Sequence, residues 1–301
     1  MSKKILLTGS SGLVCSRFVE LYGKDYDLAT PDYPDFDLTN IENVKKTVSE
    51  INPEIMVNFA AYTNVGEGEN QRDDKNGDCW KINIEGVKNL ISTLTPKIRF
   101  IQISTDMIFP GSEENPGPYK ENHPSETDSK KVTWYGFTKG EGERTVLKSL
   151  DKEATILRLI YPVRAKFDPK QDFIRKPLSL FDQGKLYPLF NDQQVSIAFI
   201  DEVALALKTI IDKEAKGVFH ASSCNTTTPY ELISYVIEKV RGKKGVVQPS
   251  SLKEFLKKAD NPVRYPIFGG LKVEETEKEL GIKYSTWREI VDRLINQGLG
   301  A

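Results

Sequence analysis

Apolar residues in this chain fall into short unbroken runs separated by longer stretches with helical spacing. Ile5-Leu6-Leu7, closed by Gly9, has the form of a parallel strand buried on both faces, and 13–21 reads as the helix after it. Similar runs recur at 26–29, 55–59, 100–103 and 155–159, with helical stretches between them at 41–51, 82–94 and 138–150. Strands and helices alternating in this way predict βαβ units. The expected fold is α/β: a Rossmann-like doubly wound parallel sheet over 1–157, then a smaller C-terminal α/β lobe over 158–301. In that lobe 173–181 reads as helix, 195–200 as extended, 201–212 as helix and 217–221 as a strand leading into a helix at 230–240. The tail, 271–294, reads as two helices around Gly281. Segments around 195–212 are expected to pack back on the first domain.

Composition constrains the ligand more than the fold. The chain has 301 residues, 39% of them hydrophobic, which is ample for a large core. With 42 basic against 43 acidic residues and a net charge of −1, it offers no broad attraction to nucleic acid or an anionic membrane. A small-molecule ligand is expected, with no nucleic-acid or membrane partner. Cys15, Cys79 and Cys224 are widely spaced and form no CxxC, so neither a disulfide framework nor a zinc site is indicated. No apolar stretch approaches membrane-spanning length and the start is too short for a signal peptide. A soluble, unprocessed, cytoplasmic protein is expected. The lysine-rich stretch 239–258 reads as a solvated helix face and loop. The glycine-rich, mostly acidic stretch 64–78 reads as a surface excursion and not a metal site, and no metal is expected. His123 and His220 lack partners at ligand spacing, and Trp80, Trp134 and Trp287 read as packing residues.

Three places along the first domain carry candidate chemistry. Gly9-Ser10-Ser11-Gly12-Leu13-Val14-Cys15 is a strand-loop-helix junction whose glycines let the backbone approach a pyrophosphate at a helix N-terminus. It makes Gly9, Ser11, Gly12, Leu13 and Val14 candidates for a dinucleotide, although an ordinary tight βα turn has the same look. Cys15 stands where a third glycine is expected and is small enough for close helix-strand packing. Asp32 follows the second strand, where a carboxylate commonly accepts from the adenosine ribose. This favours NAD(H) and leaves NADP(H) open to a cation placed elsewhere. Asp37-Leu38 reads as the opening of a helix, with Asp37 either an N-cap or turn residue or at the adenine edge. Ala60, Ala61 and Tyr62 end the strand 55–59 with small residues, as a cofactor crossing the strand's carboxyl end requires.

Tyr135 and Lys139, if helical, lie one turn apart on one face. An ammonium held near a phenol stabilises the phenolate and brings a group of ordinary pKa about 10 toward neutral pH. Thr105, at the carboxyl edge of the sheet after 100–103, could offer its hydroxyl to a substrate carbonyl. Thr105, Tyr135 and Lys139 together suit carbonyl reduction by a nicotinamide.

These residues resemble the extended short-chain dehydrogenase/reductase superfamily and, within it, the dTDP-4-dehydrorhamnose reductase family. The resemblance runs through Pro53-Glu-Ile-Met-Val-Asn-Phe-Ala-Ala-Tyr-Thr63, Ile103-Ser-Thr-Asp106 with Phe109 and Gly111, Pro118-Tyr119 with Glu121, and Tyr135-Gly-Phe-Thr-Lys139 with Gly142-Glu143. It continues through Ile156-Leu-Arg158, Asn191-Asp-Gln193 and Leu280-Gly281 before Trp287-Arg288-Glu289. It implies an NAD(P)H-dependent reductase of a nucleotide-linked 4-keto sugar, with Tyr135 as general acid. Lys139 would lower the pKa of Tyr135 and hold the nicotinamide ribose, and Thr105 would orient the carbonyl. Family members usually carry Tyr where this chain has Met107, Trp where it has Tyr161, and Gly-x-Pro-Thr where it has Gln194-Val-Ser-Ile-Ala198. The loop after Tyr62 is also longer. Met107 and Tyr161, with Asp106, border the implied sugar site. Arg264 is the candidate partner of the substrate diphosphate, or an exposed surface arginine. A homodimer is compatible with the sequence, which does not fix the oligomeric state. Two other readings stay open: an NAD-dependent sugar-nucleotide epimerase or dehydratase, for which Asp106 speaks and Met107 does not, and a non-catalytic nucleotide-binding regulatory subunit.

Overall fold

The computed structural model describes residues 2–259 and 261–301. They divide into two compact units, and the division is discontinuous in sequence. One comprises the chain up to Phe109 with Pro124–Arg158 and Ala204–Phe219; the other comprises Pro110–His123, Leu159–Val203 and His220–Ala301.

The first unit begins with β1 (Lys4–Thr8), α1 (Leu13–Tyr22), β2 (Asp27–Ala29), α2 (Ile41–Ile51) and β3 (Ile55–Asn58). Two short helices, α3 (Val65–Glu69) and α4 (Asp78–Trp80), lead through a π-helical turn, Lys81–Glu85, into α5 (Gly86–Ser92). β4 (Arg99–Thr105), α6 (Trp134–Leu150) and β5 (Thr155–Leu159) follow. The later chain adds β6 (Pro162–Val163), α7 (Arg175–Asp182), β7 (Leu189–Phe190), β8 (Ala198–Phe199), α8 (Ile200–Asp212) and β9 (Gly217–Ala221). It ends with α9 (Pro229–Arg241), β10 (Pro249–Ser250), α10 (Leu252–Leu256), α11 (Glu274–Leu280) and α12 (Trp287–Asn296).

Six strands form one sheet in the order β2-β1-β3-β4-β5-β9. β1 pairs in parallel with both β2 and β3, and β3 with β4. Strand order therefore reverses between β1 and β3, and the carboxyl ends at such a reversal are where open α/β sheets take their ligands. The central strands β1, β3, β4 and β5 are buried: Leu6, Met56, Phe100 and Ile156 join Val44, Val48, Val87 and Leu90 from the helices in one core. The second unit has its own core, in which Val163, Ile174, Leu178 and Phe199 meet Leu232, Val236, Ile290 and Leu294.

Caps decide where helices begin. α6 starts four residues before the predicted 138 because Thr133 caps it, its hydroxyl accepting from the Gly136 amide at 3.0 Å. Both Tyr135 and Lys139 thus lie within the helix. Asp37 does not open a helix: α2 is capped by Asn40, whose side chain accepts from Glu42 and Asn43. Asp37 instead folds a turn by accepting from the Thr39 amide and hydroxyl at 2.9 and 2.8 Å. Thr228 and Thr286 form capping boxes with Glu231 and Glu289 at the starts of α9 and α12. No helix among the described residues is long and apolar enough to cross a membrane.

Candidate active site

Gly9 follows β1 with φ +63°, and a Cβ there would stand 3.0 Å from the Ala60 backbone at the end of β3. Only glycine permits so close an approach in that conformation. Gly12 is the N-cap of α1 and contributes no side-chain cap, so the first amides of the helix face the turn free of one. A tight turn, an uncapped helix N-terminus and the small residues Ala60 and Ala61 beside it fit a dinucleotide pyrophosphate. Ser11 lies in the turn, and Leu13 and Val14 open the helix. Cys15 is buried, and burial, with Asp32 nearby, pushes its thiol up to about 12, so it packs and does not react.

Asp32 is tied to the same turn. It accepts from the Ser11 amide at 3.1 Å, the Tyr33 amide at 3.0 Å and the Ser10 hydroxyl at 3.4 Å. Partial burial raises its pKa, but these hydrogen bonds outweigh it and hold the group below the usual carboxylate range. Leu38 is buried in the core of the first unit. Tyr62 donates its amide to Asn83 Oδ1 at 2.9 Å and accepts at its hydroxyl from Gln71 at 3.1 Å.

Tyr135, Lys139, Thr105 and Asp106 meet where β4 runs out against α6. Gly136 makes this approach possible: a Cβ there would fall 2.0 Å from the Met107 carbonyl oxygen. Thr105 lies beside the Tyr135 phenol, accepts from the Met107 amide at 3.2 Å and donates to Asp106 Oδ1 at 3.3 Å. Burial pushes the Asp106 carboxyl up to about 7, against hydrogen bonds from Thr105 and the Met107 backbone. The Tyr135 phenol is pushed well above its ordinary range by burial and then by Asp106, with Thr105 opposing. This is opposite to the expected lowering. Lys139 is buried and donates to the Ile103 carbonyl at 2.8 Å, so its ammonium is committed elsewhere. Burial pulls Lys139 down to about 8, with Glu143 and Cys79 acting the other way.

Around this group lie residues to which the sequence reading assigned no role. Glu143 accepts from the Ser104 hydroxyl at 2.8 Å and forms a buried ion pair with Arg158, the two side chains 1% and 3% exposed. Asn83, on the π-helical turn, donates to the Thr138 hydroxyl at 3.0 Å and so joins the Tyr62 backbone to α6. A π-turn that redirects one side chain is common at functional sites. The only legible signal for Asn83 was a polar residue between Ile82 and Ile84 on a helix. The stretch 64–78 is also more than a surface excursion. Glu69 accepts from the Trp134 amide, and Arg72 pairs with Glu69 and donates to the Ser129 and Val132 carbonyls at 2.6 and 3.1 Å, fastening the entry to α6.

Met107 is half-buried against Cys79, Trp134 and Tyr135. The remaining candidates belong to the second unit. Tyr161 has φ +34° and its ring stacks on Phe173 with centroids 4.2 Å apart. For a tyrosine such a backbone is strained. Arg264 is exposed at the end of a short 3-10 turn, Pro262–Arg264. His220 is buried, with Nδ1 hydrogen-bonded to the Lys272 carbonyl at 2.7 Å, and Trp287 packs in the core. Among the described residues no three His, Cys, Asp or Glu side chains gather in a way that could hold a metal ion.

A parallel sheet with a glycine turn at its point of reversal, and a Thr-Tyr-Lys group one strand further on, define a nicotinamide-dependent oxidoreductase of the short-chain dehydrogenase/reductase type. The model of one family in that class, described as RmlD substrate binding domain, matches residues 3–299, and the chain belongs to that family. It is 26% identical over 303 residues to a dTDP-4-dehydrorhamnose reductase of Sinorhizobium fredii, covering 97% of this chain and 96% of the relative. It is 27% identical to a dTDP-4-keto-6-deoxy-D-glucose reductase of Streptomyces niveus, covering 83% of each. Among solved structures, a dTDP-4-dehydrorhamnose reductase of Bacillus anthracis in complex with NADP superposes with a TM-score of 0.83. That match has 24% identity and covers 99% of this chain and all of the other.

Proposed function

We propose that the chain reduces the keto group of a nucleotide-linked 4-keto sugar, with Tyr135 as proton donor. The observation that carries this is the burial of Tyr135 beside Thr105 and within the field of Asp106. Burial and the neighbouring carboxyl keep the phenol protonated, as a group that must deliver a proton to a developing alkoxide requires. Thr105, beside the phenol, orients the carbonyl oxygen toward it. Lys139 brings a positive charge into a low-dielectric site, where it stabilises negative charge arising on either oxygen. Gly9, Ser11, Gly12, Leu13, Val14, Ala60, Ala61 and Tyr62 would hold the dinucleotide, together with Tyr135 and Lys139. When bound, it supplies the hydride. Asp32 is our reason for proposing a preference for NAD(H), because a carboxylate held ionised beside the turn repels a 2′-phosphate. Asp37 and Leu38 keep structural roles in this reading.

Asp106 and Met107 border the proposed sugar site, and Tyr161 and Arg264 are the second unit's candidates for substrate contacts. The two curated relatives are named for different sugars, and the configuration accepted here is left to assay. A cytoplasmic location, supported by three free cysteines, completes the proposal. The test is a panel of nucleotide 4-keto sugars followed by oxidation of NADH and NADPH. Turnover with at least one sugar, abolished by Tyr135→Phe with dinucleotide binding retained, is expected. Absence of turnover across the panel refutes the reductase, and conversion without net dinucleotide consumption identifies an epimerase or dehydratase instead.

A further inference from the structure

A one-way chain of hydrogen bonds crosses three strands beneath the site. The Ala60 amide donates to Thr8 Oγ1 at 3.0 Å, and the Thr8 hydroxyl donates to Asn58 Oδ1 at 2.6 Å. Asn58 Nδ2 then donates to Gln102 Oε1 at 3.0 Å, and Gln102 Nε2 to the Ile103 carbonyl at 2.8 Å. That carbonyl is the one to which Lys139 Nζ donates, also at 2.8 Å. Thr8, Asn58 and Gln102 stand side by side in register on β1, β3 and β4, and all three are buried.

Each link fixes the next. Because Thr8 Oγ1 accepts from Ala60, its hydrogen is free for Asn58, which must present its oxygen there and its amide nitrogen to Gln102. Gln102 in turn can only donate to Ile103. Packing alone would be served as well by three apolar side chains, without the penalty that any broken link in a buried polar chain brings. We propose that Gln102 and Asn58 are positioning residues: through the Ile103 carbonyl they fix where Lys139 stands, and through Thr8 they tie that position to the glycine turn. Among the described residues Ile103 O is the hydrogen-bond acceptor of Lys139, so the placement of that one carbonyl sets the direction of the two remaining ammonium hydrogens. The catalytic consequence rests on the reductase reading; the placement does not.

The charged and titratable groups around Lys139 are Glu143 and Tyr135 on its own helix, Cys79 on α4, and Asp106 after β4. Glu143 is held by Arg158 and Ser104. None of these is altered by changing Gln102 or Thr8, which makes Lys139 itself the reporter. Its titration is followed by 13Cε-lysine NMR in the wild type, Gln102→Met, Thr8→Val and Thr8→Ser, with thermal melts confirming that each is folded. A carbonyl that wanders bonds the ammonium less well, and the charged form loses stabilisation. The Lys139 midpoint should fall by about half a pH unit or more in Gln102→Met and Thr8→Val and return in Thr8→Ser, which keeps the hydroxyl. In turnover, kcat should drop roughly tenfold in the first two. An unchanged midpoint in Gln102→Met and Thr8→Val, or identical behaviour of Thr8→Val and Thr8→Ser, overturns the proposal. If Gln102→Met does not fold, the Thr8 pair decides. Absence of turnover in the wild type counts against the reductase reading alone, since the NMR titration needs no substrate.

Discussion

Asp106→Asn should make the protein more stable at neutral pH and leave its stability at low pH nearly unchanged. The folded-state pKa of Asp106 is raised from 3.8 to about 7, first by burial. Its contribution to stability is therefore fully present below 3.8 and lost as pH rises through 7. Over that interval the folded chain holds one proton more than the unfolded chain. At about 1.4 kcal/mol per pH unit, the wild type loses roughly 4 kcal/mol that the asparagine variant keeps. Every other titrating group is common to both proteins and cancels in the difference, apart from a smaller effect on Tyr135, which Asp106 pushes up. Asparagine preserves the oxygen that accepts from Thr105, so the comparison is close to isosteric. Urea unfolding from pH 4 to 8 measures the difference. With Trp287 changed to Phe, fluorescence comes from Trp80 and Trp134, both in the first unit, so its transition is read separately. A stability difference that stays flat within about 1 kcal/mol across the range would mean that Asp106 is ionised throughout in the folded chain. The argument that burial governs the protonation of this site would then fail with it.

Glu143→Gln removes the carboxylate that pairs with the buried Arg158 guanidinium and should cost about 3–5 kcal/mol in chemical denaturation, while the double change to apolar residues costs less than the two single changes added. Gly136→Ala drives a methyl group into the Met107 carbonyl. It should cost roughly 1–3 kcal/mol and lower kcat more than KM, because the turn carrying Thr105 must retreat from Tyr135. Asp32→Ser should raise the NADPH to NADH ratio of kcat/KM about tenfold, near 1.4 kcal/mol; an unchanged ratio removes the argument for NAD. The activity profile should fall as pH rises past about 8, where Lys139 loses its proton. A profile flat to pH 10 would show that its charge is not needed.

How much of this was legible depends on the range of the interaction. β1, α2, β5, β9 and α8 fell within a residue or so of the predicted bounds, because each is a local pattern of apolar spacing closed by a glycine, a cap or a charged turn. The glycine turn and the Thr-Tyr-Lys group were legible for the same reason: spacing along one strand or helix carries them. What the chain could not display was what its side chains meet across elements. Asn58 and Gln102 look like polar interruptions of strands until β1, β3 and β4 are set in register. Glu143 and Arg158 look like two charges among many until α6 is laid on β5. The division into units was legible in part. Ala204–Phe219 belongs to the first unit and overlaps the stretch 195–212 expected to pack back on it, whereas Pro110–His123 belongs to the second unit with no signal in the periodicity of the chain.

The direction of the Tyr135 shift changes how the site is to be understood. Spacing suggested a lysine that makes the phenol more acidic, an arrangement suited to taking up a proton. In the fold the ammonium is turned to the Ile103 carbonyl, while Asp106 faces the phenol through Thr105. One burial therefore acts oppositely on opposite charge types: it raises the pKa of an acid and of a phenol and brings a lysine close to losing its proton. Groups driven apart in this way have separable roles. A protonated phenol is the donor that reduction requires, whereas oxidation of an alcohol would start from the phenolate, which this environment opposes. The same burial thus biases the site toward reduction, and Asp106→Asn tests that bias as well, because removing the carboxyl should lower the phenol pKa and favour the reverse reaction.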